Sequence, residues 1–208
     1  MVSATKRKYA PRLPPQERKE QLLDTALEII ALQGYPAVSI DAIARGAGVS
    51  RPVVYGVWPD LDALLTDLHR RQEQRAMSQV AEAIPPGPGE RDPDELLVAS
   101  FRSFLEAVAG DPLTWRLFLL PIEGMPAAVA RRAEKTRAAL RGQVTQLVAW
   151  GVEERGGPPG LDNELMAHFL LSTGEDAGRL VLSDPKRFTP SLLADNLAAV
   201  LGALQRKR

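Results

Sequence analysis

Apolar positions recur at helical spacing along most of the chain, and glycine or proline marks the places where that rhythm breaks. The first periodic stretch runs roughly from residue 16 to residue 33. Leu22, Ala26, Ile29 and Ile30 form its stripe, with Leu23 near the edge, and Arg18, Lys19, Asp24 and Glu28 take the wet side. Gly34 supplies its stop. Ser39 to Tyr55 then reads as two short helices around a tight glycine turn. The Ser39 hydroxyl can cap the first of them, and Ile40, Ile43 and Ala44 share one face. Gly46 and Gly48 sit where a helix ends and the chain reverses, with Val49 as an apolar plug. Ser50 is placed to cap the second helix, and Pro52 falls in its first turn, where a missing N–H costs little. This is the construction of a helix-turn-helix, which lays its second helix in a DNA major groove. It also describes ordinary helical hairpins, so the flanking chain decides.

Downstream, Trp58-Pro59-Asp60 leads into a long helix over residues 61–83 with Leu61, Leu64, Leu65 and Leu68 as its stripe, and Trp58 as an anchor to the small module. A Pro/Gly cluster over residues 85–93 is the strongest break in the chain. Asp92-Pro93 and Asp111-Pro112 open two further helices, the second apolar nearly all round. A long amphipathic helix follows over residues 127–154, then one over 162–182, then a last one opened by Thr189-Pro190. No stretch alternates with period two and no hairpin dipeptide separates apolar segments. The pattern predicts an all-α fold of about nine helices without internal repeats. Residues 1–58 form an N-terminal three-helix helix-turn-helix module with its leading arm, and residues 59–208 form a C-terminal helical domain, which the resemblance drawn below implies to be regulatory.

Composition narrows the chemistry. The 208 residues include no cysteine, which excludes disulfides and thiolate metal sites, and the two histidines, His69 and His168, lack ligand spacing. No nucleophile–base spacing or glycine phosphate loop is present, so an enzyme is not expected, and neither a cofactor nor a metal is called for. No apolar run is long enough for a bilayer, and no apolar secretory region follows the first residues, so a cytoplasmic location is the default. Formal net charge is zero, but its distribution is uneven. Lys6, Arg7, Lys8, Arg12, Arg18 and Lys19 crowd the first twenty residues against Glu17 and Glu20. Such an arm reads either as a solvated tail or as a phosphate or minor-groove contact, with Lys6, Arg7 and Lys8 as the candidates.

With these parts assembled, the first sixty-five residues resemble the TetR family of transcriptional regulators. Gly34-Tyr35, Ser39-Ile40, Ile43-Ala44, Ala47-Gly48-Val49-Ser50, Tyr55, Trp58 and Leu64-Leu65 carry the resemblance in register; the remaining chain resembles the family in architecture only. The resemblance implies a homodimer that binds a double-stranded DNA operator, with a small-molecule site in the C-terminal domain and a four-helix bundle of the last two helices from each subunit. Carried over residue by residue, Ser39 and Tyr55 approach phosphates, while Arg51, Pro52 and Val53 face base edges and Ser50 opens the reading helix. Chemistry agrees in part, since the Arg51 fork fits guanine O6 and N7 and Val53 can touch a thymine methyl. Val54, one residue on, turns to the core. Gly56, Val57 and Leu61 depart from the family's usual bulky, aromatic and basic choices there, which puts phosphate contacts from that corner in doubt.

In the C-terminal half, Trp115, Phe118, Met125, Trp150, His168 and Phe169 are candidate lining for an effector pocket, or plain core. Gly174, Ala177 and Gly178 are small enough to admit a partner helix, and Leu193, Leu197, Val200, Leu201 and Leu204 give the last helix a leucine-rich face, so both fit a dimer interface. The leading expectation is a DNA-binding regulator, a repressor released from a palindromic operator by a small molecule. The alternative is a ligand-binding or scaffold helical dimer whose DNA-binding module is weakened.

Overall fold

A computed structural model of the chain describes residues 13–87, 89–121, 125, 127–158 and 160–205, so the arm residues Lys6, Arg7 and Lys8 lie outside it. Among the described residues the regular structure is nine α-helices and one short 3₁₀ turn. They are α1 (Pro15–Gln33), the 3₁₀ turn (Tyr35–Ala37), α2 (Ile40–Gly46), α3 (Arg51–Tyr55), α4 (Leu61–Ala83), α5 (Pro93–Gly110), α6 (Pro112–Leu119), α7 (Ala127–Glu154), α8 (Asn163–Ser183) and α9 (Pro190–Gln205). Starts are set by local chemistry. Ser39 accepts the N–H of Ala42, Asp92 those of Asp94 and Glu95, and Asp162 those of Glu164 and Leu165. Each bond pairs a donor that the first helical turn leaves open.

By its contacts the chain divides into two units, one holding the described residues through Gln72 together with Met125, the other holding the rest from Glu73. The boundary falls inside α4, not after Trp58 as the break at Pro59 suggested. The physical reason is that the first half of α4 completes the small module's core. Leu64 and Leu68 are fully buried there, alongside Leu22, Ala26, Ile43 and Val54. A three-helix module alone buries too little apolar surface to stand comfortably, and a fourth helix adds the missing wall.

Polar contacts fix that fourth helix against α1. Asp67 accepts from Trp58 Nε1 at 3.0 Å and pairs with Lys19 Nζ at 2.7 Å and Arg70 at 2.6 Å. Lys19 also lies over the Trp58 ring, 5.8 Å from its centroid. Arg71 bridges Glu20 at 2.7 Å and Asp24 at 2.8 Å. The donors around Asp67, Lys19 first and Trp58 second, hold its carboxyl below the usual range against the opposing effect of burial. Deeper in the same unit the Tyr35 hydroxyl and His69 Nε2 share a hydrogen bond of 2.6 Å, with their rings stacked. Burial pushes the Tyr35 phenol well up, so it stays a neutral hydrogen-bonding group.

The second unit is built on an apolar cluster. Leu105, Val108, Trp115, Leu119, Val181 and Leu182 are buried in it, with Phe101, Phe104, Phe118 and Leu193 packed at its edge. Helix α5 packs against α8 and α9, and α8 also packs against α6 and α7. Phe104 meets Trp115 edge-on at 5.0 Å between ring centres. Trp115 Nε1 donates to Gln79 Oε1 at 2.7 Å, so the buried indole N–H is paired. Among the described residues no helix is long and apolar enough to cross a membrane.

Candidate nucleic-acid interface

Helix α2 enters from Ser39, whose Oγ lies 3.1 Å from Ala42 N. Ile40, Ile43 and Ala44 turn to the core and leave Asp41 and Arg45 exposed. The helix must then stop and reverse within a few residues. Gly48 takes φ 67°, a left-handed conformation that a side chain disfavours, and opens the turn. Gly46 serves a different need from the one its position suggested. It is the last residue of α2 and has no unusual φ, but a Cβ there would lie 2.6 Å from Thr25 Cγ2 of α1. It is glycine because the Thr25 side chain of α1 packs directly against it, not because the chain turns there.

Helix α3 follows in an extended-to-helical switch at Ser50. The Ser50 side chain makes no capping bond, contrary to expectation. An N-cap hydroxyl accepts from the second or third helical N–H. Here the second helical residue is Pro52, which has no N–H, and the Val53 N–H bonds the Ser50 carbonyl at 3.0 Å instead. Ser50 is therefore an exposed hydroxyl at the mouth of the helix.

The register of α3 separates one face from the other. Val54 is fully buried, whereas Arg51, Pro52, Val53 and Tyr55 are exposed, Val53 at 38% and Tyr55 at 47%. Val53 and Tyr55 are thus large side chains left on the solvent side of a five-residue helix. The structure brings Arg51, Pro52, Val53 and Tyr55 onto one short element, with Ser50 just before it and Ser39 at the head of the neighbouring helix. Sequence reasoning missed one participant. Asp41, from the first turn of α2, pairs with Arg51 through Oδ1 and Nε at 3.0 Å. The signal was available in the spacing, since each residue stands in the first turn of its helix.

A short reading helix with its apolar side sunk into a leucine-rich platform, and its solvent side carrying arginine, valine and tyrosine, defines a helix-turn-helix module. Residues 22–68 match the model of bacterial regulatory proteins, tetR family. Among curated proteins it is 35% identical to the HTH-type transcriptional activator FasR of Mycolicibacterium smegmatis over 95 residues, 46% of this chain and 43% of that protein. It is 29% identical to the HTH-type transcriptional regulator EthR of the same organism over 100 residues, 48% of this chain and 45% of that one. The chain thus spans less than half the length of these relatives. Among solved structures, a TetR-like transcriptional regulator from Rhodococcus sp. RHA1 superposes with a TM-score of 0.74 at 24% identity, over 95% of this chain and all of that one. The regulator FadR from Bacillus subtilis, solved with stearoyl-CoA, gives 0.65 at 18% identity over 88% of this chain and 96% of that one. Likeness at these identities is likeness of fold.

The C-terminal candidates do not assemble as expected. Trp115 and Phe118 belong to the apolar cluster of α5, α6 and α8. Trp150 on α7 and Met125 are half-buried. His168 and Phe169 are exposed on α8, Phe169 at 57%, so neither lines an interior pocket of its own subunit. The reason is register, since the neighbouring Ala167 takes the inward position. Ala177 of α8 is buried within the chain, and a Cβ on Gly178 would lie 2.7 Å from Leu119 Cδ1 and 3.5 Å from Phe104 Cε1. Within this chain they face α5 and α6. Gly174 is half-buried near Phe104. On α9, Val200 is exposed at 58%, Leu197 and Leu201 are half-buried, Leu193 packs on the cluster, and the Leu204 side chain lies outside the described residues. Leu165 on α8 and Leu192 on α9 are exposed at 50% and 46%.

Proposed function

We propose that this chain is a DNA-binding transcriptional regulator that acts as a homodimer, represses from a palindromic operator and is released by a small-molecule effector. The observation that carries the reading is the α3 face: Arg51, Pro52, Val53 and Tyr55 are exposed on one short helix while Val54 anchors it. Arg51 offers a fork to guanine, Val53 an apolar contact to a thymine methyl, and Tyr55 and Ser39 hydroxyls to phosphates. The basic arm with Lys6, Arg7 and Lys8 supplies further phosphate or minor-groove contacts. The family match over residues 22–68 supports the same face.

Dimerisation is assigned to the outer sides of α8 and α9. Leu165 and Phe169 stand four apart on α8, and Leu192 and Val200 two turns apart on α9, all exposed. A two-fold axis would bury both pairs against their copies. The effector site is assigned to the C-terminal unit around the Trp115 and Phe118 aromatic cluster. An effector that favours one spacing of the two reading heads shifts the population away from the DNA-competent state.

Footprinting on the DNA upstream of the chain's own coding region tests this. The expected result is two protected half-sites related by a dyad, with centres about 34–36 Å or a modest multiple of that apart along the duplex. Phe169→Asp should convert the sedimenting dimer to monomer and abolish the paired footprint. A variant that remains dimeric with an intact footprint removes α8 from the interface. Absence of any protected site by the unaltered chain removes the regulator reading in favour of a ligand-binding helical dimer.

A further inference from the structure

Asp41, on α2, is an anomaly beside the α3 face. A carboxylate among groups that approach phosphates repels DNA of every sequence, and so lowers affinity without selecting among sites. Its side chain is 57% exposed and that of Arg51 56%, so neither is there to serve the core. As an exposed ion pair the contact adds little to folding. Its geometry has a different consequence. Arg51 is a long, flexible side chain at the first position of α3, and Asp41 comes from the first turn of α2, a separate element. The carboxylate holds Arg51 through Nε at 3.0 Å. A guanidinium is planar with its donors in a fixed fork, so an engaged Nε sets the plane and leaves the two Nη groups for guanine O6 and N7.

We propose that Asp41 is a specificity-determining positioning residue that orients Arg51, so that α3 selects a guanine at one position of each half-site. The inference rests on the reading that α3 enters a major groove. In free solution water screens the pair. Once α3 docks, water leaves the groove, the local dielectric falls, and the pair strengthens where the base is read. The unfavourable charge is then offset at sites with a guanine in place and remains uncompensated elsewhere. That difference between right and wrong sites is specificity by penalty as well as by attraction.

The test uses the full chain and the upstream fragment it protects. Dissociation constants are measured by anisotropy for that fragment, for versions in which each G·C pair of a half-site is changed in turn to A·T, and for unrelated DNA. Asp41→Asn, Asp41→Ser, Arg51→Ala and the Asp41→Asn/Arg51→Ala double variant are compared, with thermal melts confirming that each is folded. The expected result is that Asp41→Asn loses about tenfold of the discrimination at one G·C pair, within the range a bidentate guanine contact commands. Arg51→Ala loses discrimination at the same pair, and the double variant loses no more than Arg51→Ala alone. Affinity of Asp41→Asn for unrelated DNA holds or rises. Asp41→Ser keeps a first-turn polar residue without the charge and repeats the Asp41→Asn pattern. A uniform rise in affinity for every sequence with discrimination intact overturns the proposal, because Asp41 would then only mask Arg51. Loss at a pair that Arg51→Ala does not affect also overturns it, as does no change. Absence of specific binding by the unaltered chain would instead overturn the DNA reading on which the proposal stands.

Discussion

The two units are both helical and both close over leucine-rich cores, but they differ in what fixes their parts. In the first, punctuation is dense. A serine cap, a glycine at positive φ and a glycine at a close approach fall within ten residues, and α4 is clamped to α1 by Lys19–Asp67, Trp58–Asp67 and Arg71–Glu20. In the second, long helices meet over Leu105, Val108, Trp115 and Val181, and ion pairs such as Arg102–Asp195, Arg137–Glu175 and Arg132–Glu73 sit at its surface. A surface that must meet a rigid partner needs its backbone fixed to within an ångström, and fixed backbone leaves marks in the sequence. A core needs volume and apolarity, which many sequences supply.

The largest expected effect probes what the units share. Ile43→Ala in the first and Leu105→Ala in the second each delete a fully buried side chain and should each cost about 2–5 kcal/mol in urea denaturation. A cost under about 1 kcal/mol at Ile43 would mean that the turn of α2 and α3 is not held by the core described here.

A middle-sized effect separates the units. Gly46 and Gly178 both sit closer to a neighbour than a Cβ allows, at 2.6 Å from Thr25 Cγ2 and 2.7 Å from Leu119 Cδ1. Thr25 is β-branched and its hydroxyl is tied to the Gln21 carbonyl at 2.9 Å, so it cannot turn aside. The Leu119 methyl is the far end of a side chain with rotamers to spare. Gly46→Ala should therefore cost about 1–3 kcal/mol and Gly178→Ala less, measured by the same unfolding curves. The reverse order would place the tighter packing in the second unit.

The smallest effect is in pH dependence. The Asp67 carboxyl is held below its ordinary value in the folded chain by Lys19 and Trp58. Its contribution is therefore complete above the unfolded carboxylate range and disappears as pH falls through the depressed value. Between roughly pH 6 and roughly pH 3 the melting temperature of the unaltered chain should fall more steeply than that of Asp67→Asn. Parallel falls would remove the Asp67 cluster from the account of acid sensitivity.

Much of the fold was legible because each helix carries its own start and stop. Asp92-Pro93, Asp111-Pro112, Asp162 and Thr189-Pro190 all open helices close to the positions that the pattern gave. The buried stripe of α1 was read too narrowly: Leu23 and Leu27 are buried and Ile29 only half so. A packed helix with neighbours on two sides buries a wider face than one stripe. The exposed set of Arg51, Pro52, Val53 and Tyr55 was legible, and Val54 is buried as its spacing required. What lay beyond the sequence were contacts between elements. Asp41 reaches Arg51 across the turn, Tyr35 reaches His69, and Gly178 faces Leu119. A small residue on a helix shows that something comes near, but not whether the visitor belongs to the same subunit.

The central claim is that the exposed side of α3 reads DNA. Anisotropy titrations of the unaltered chain and Arg51→Ala on the protected upstream fragment and on unrelated DNA test it most directly. The account predicts that Arg51→Ala weakens binding to the protected fragment by about 1–3 kcal/mol while binding to unrelated DNA changes far less. Equal weakening on both sequences, or none on either, would contradict it.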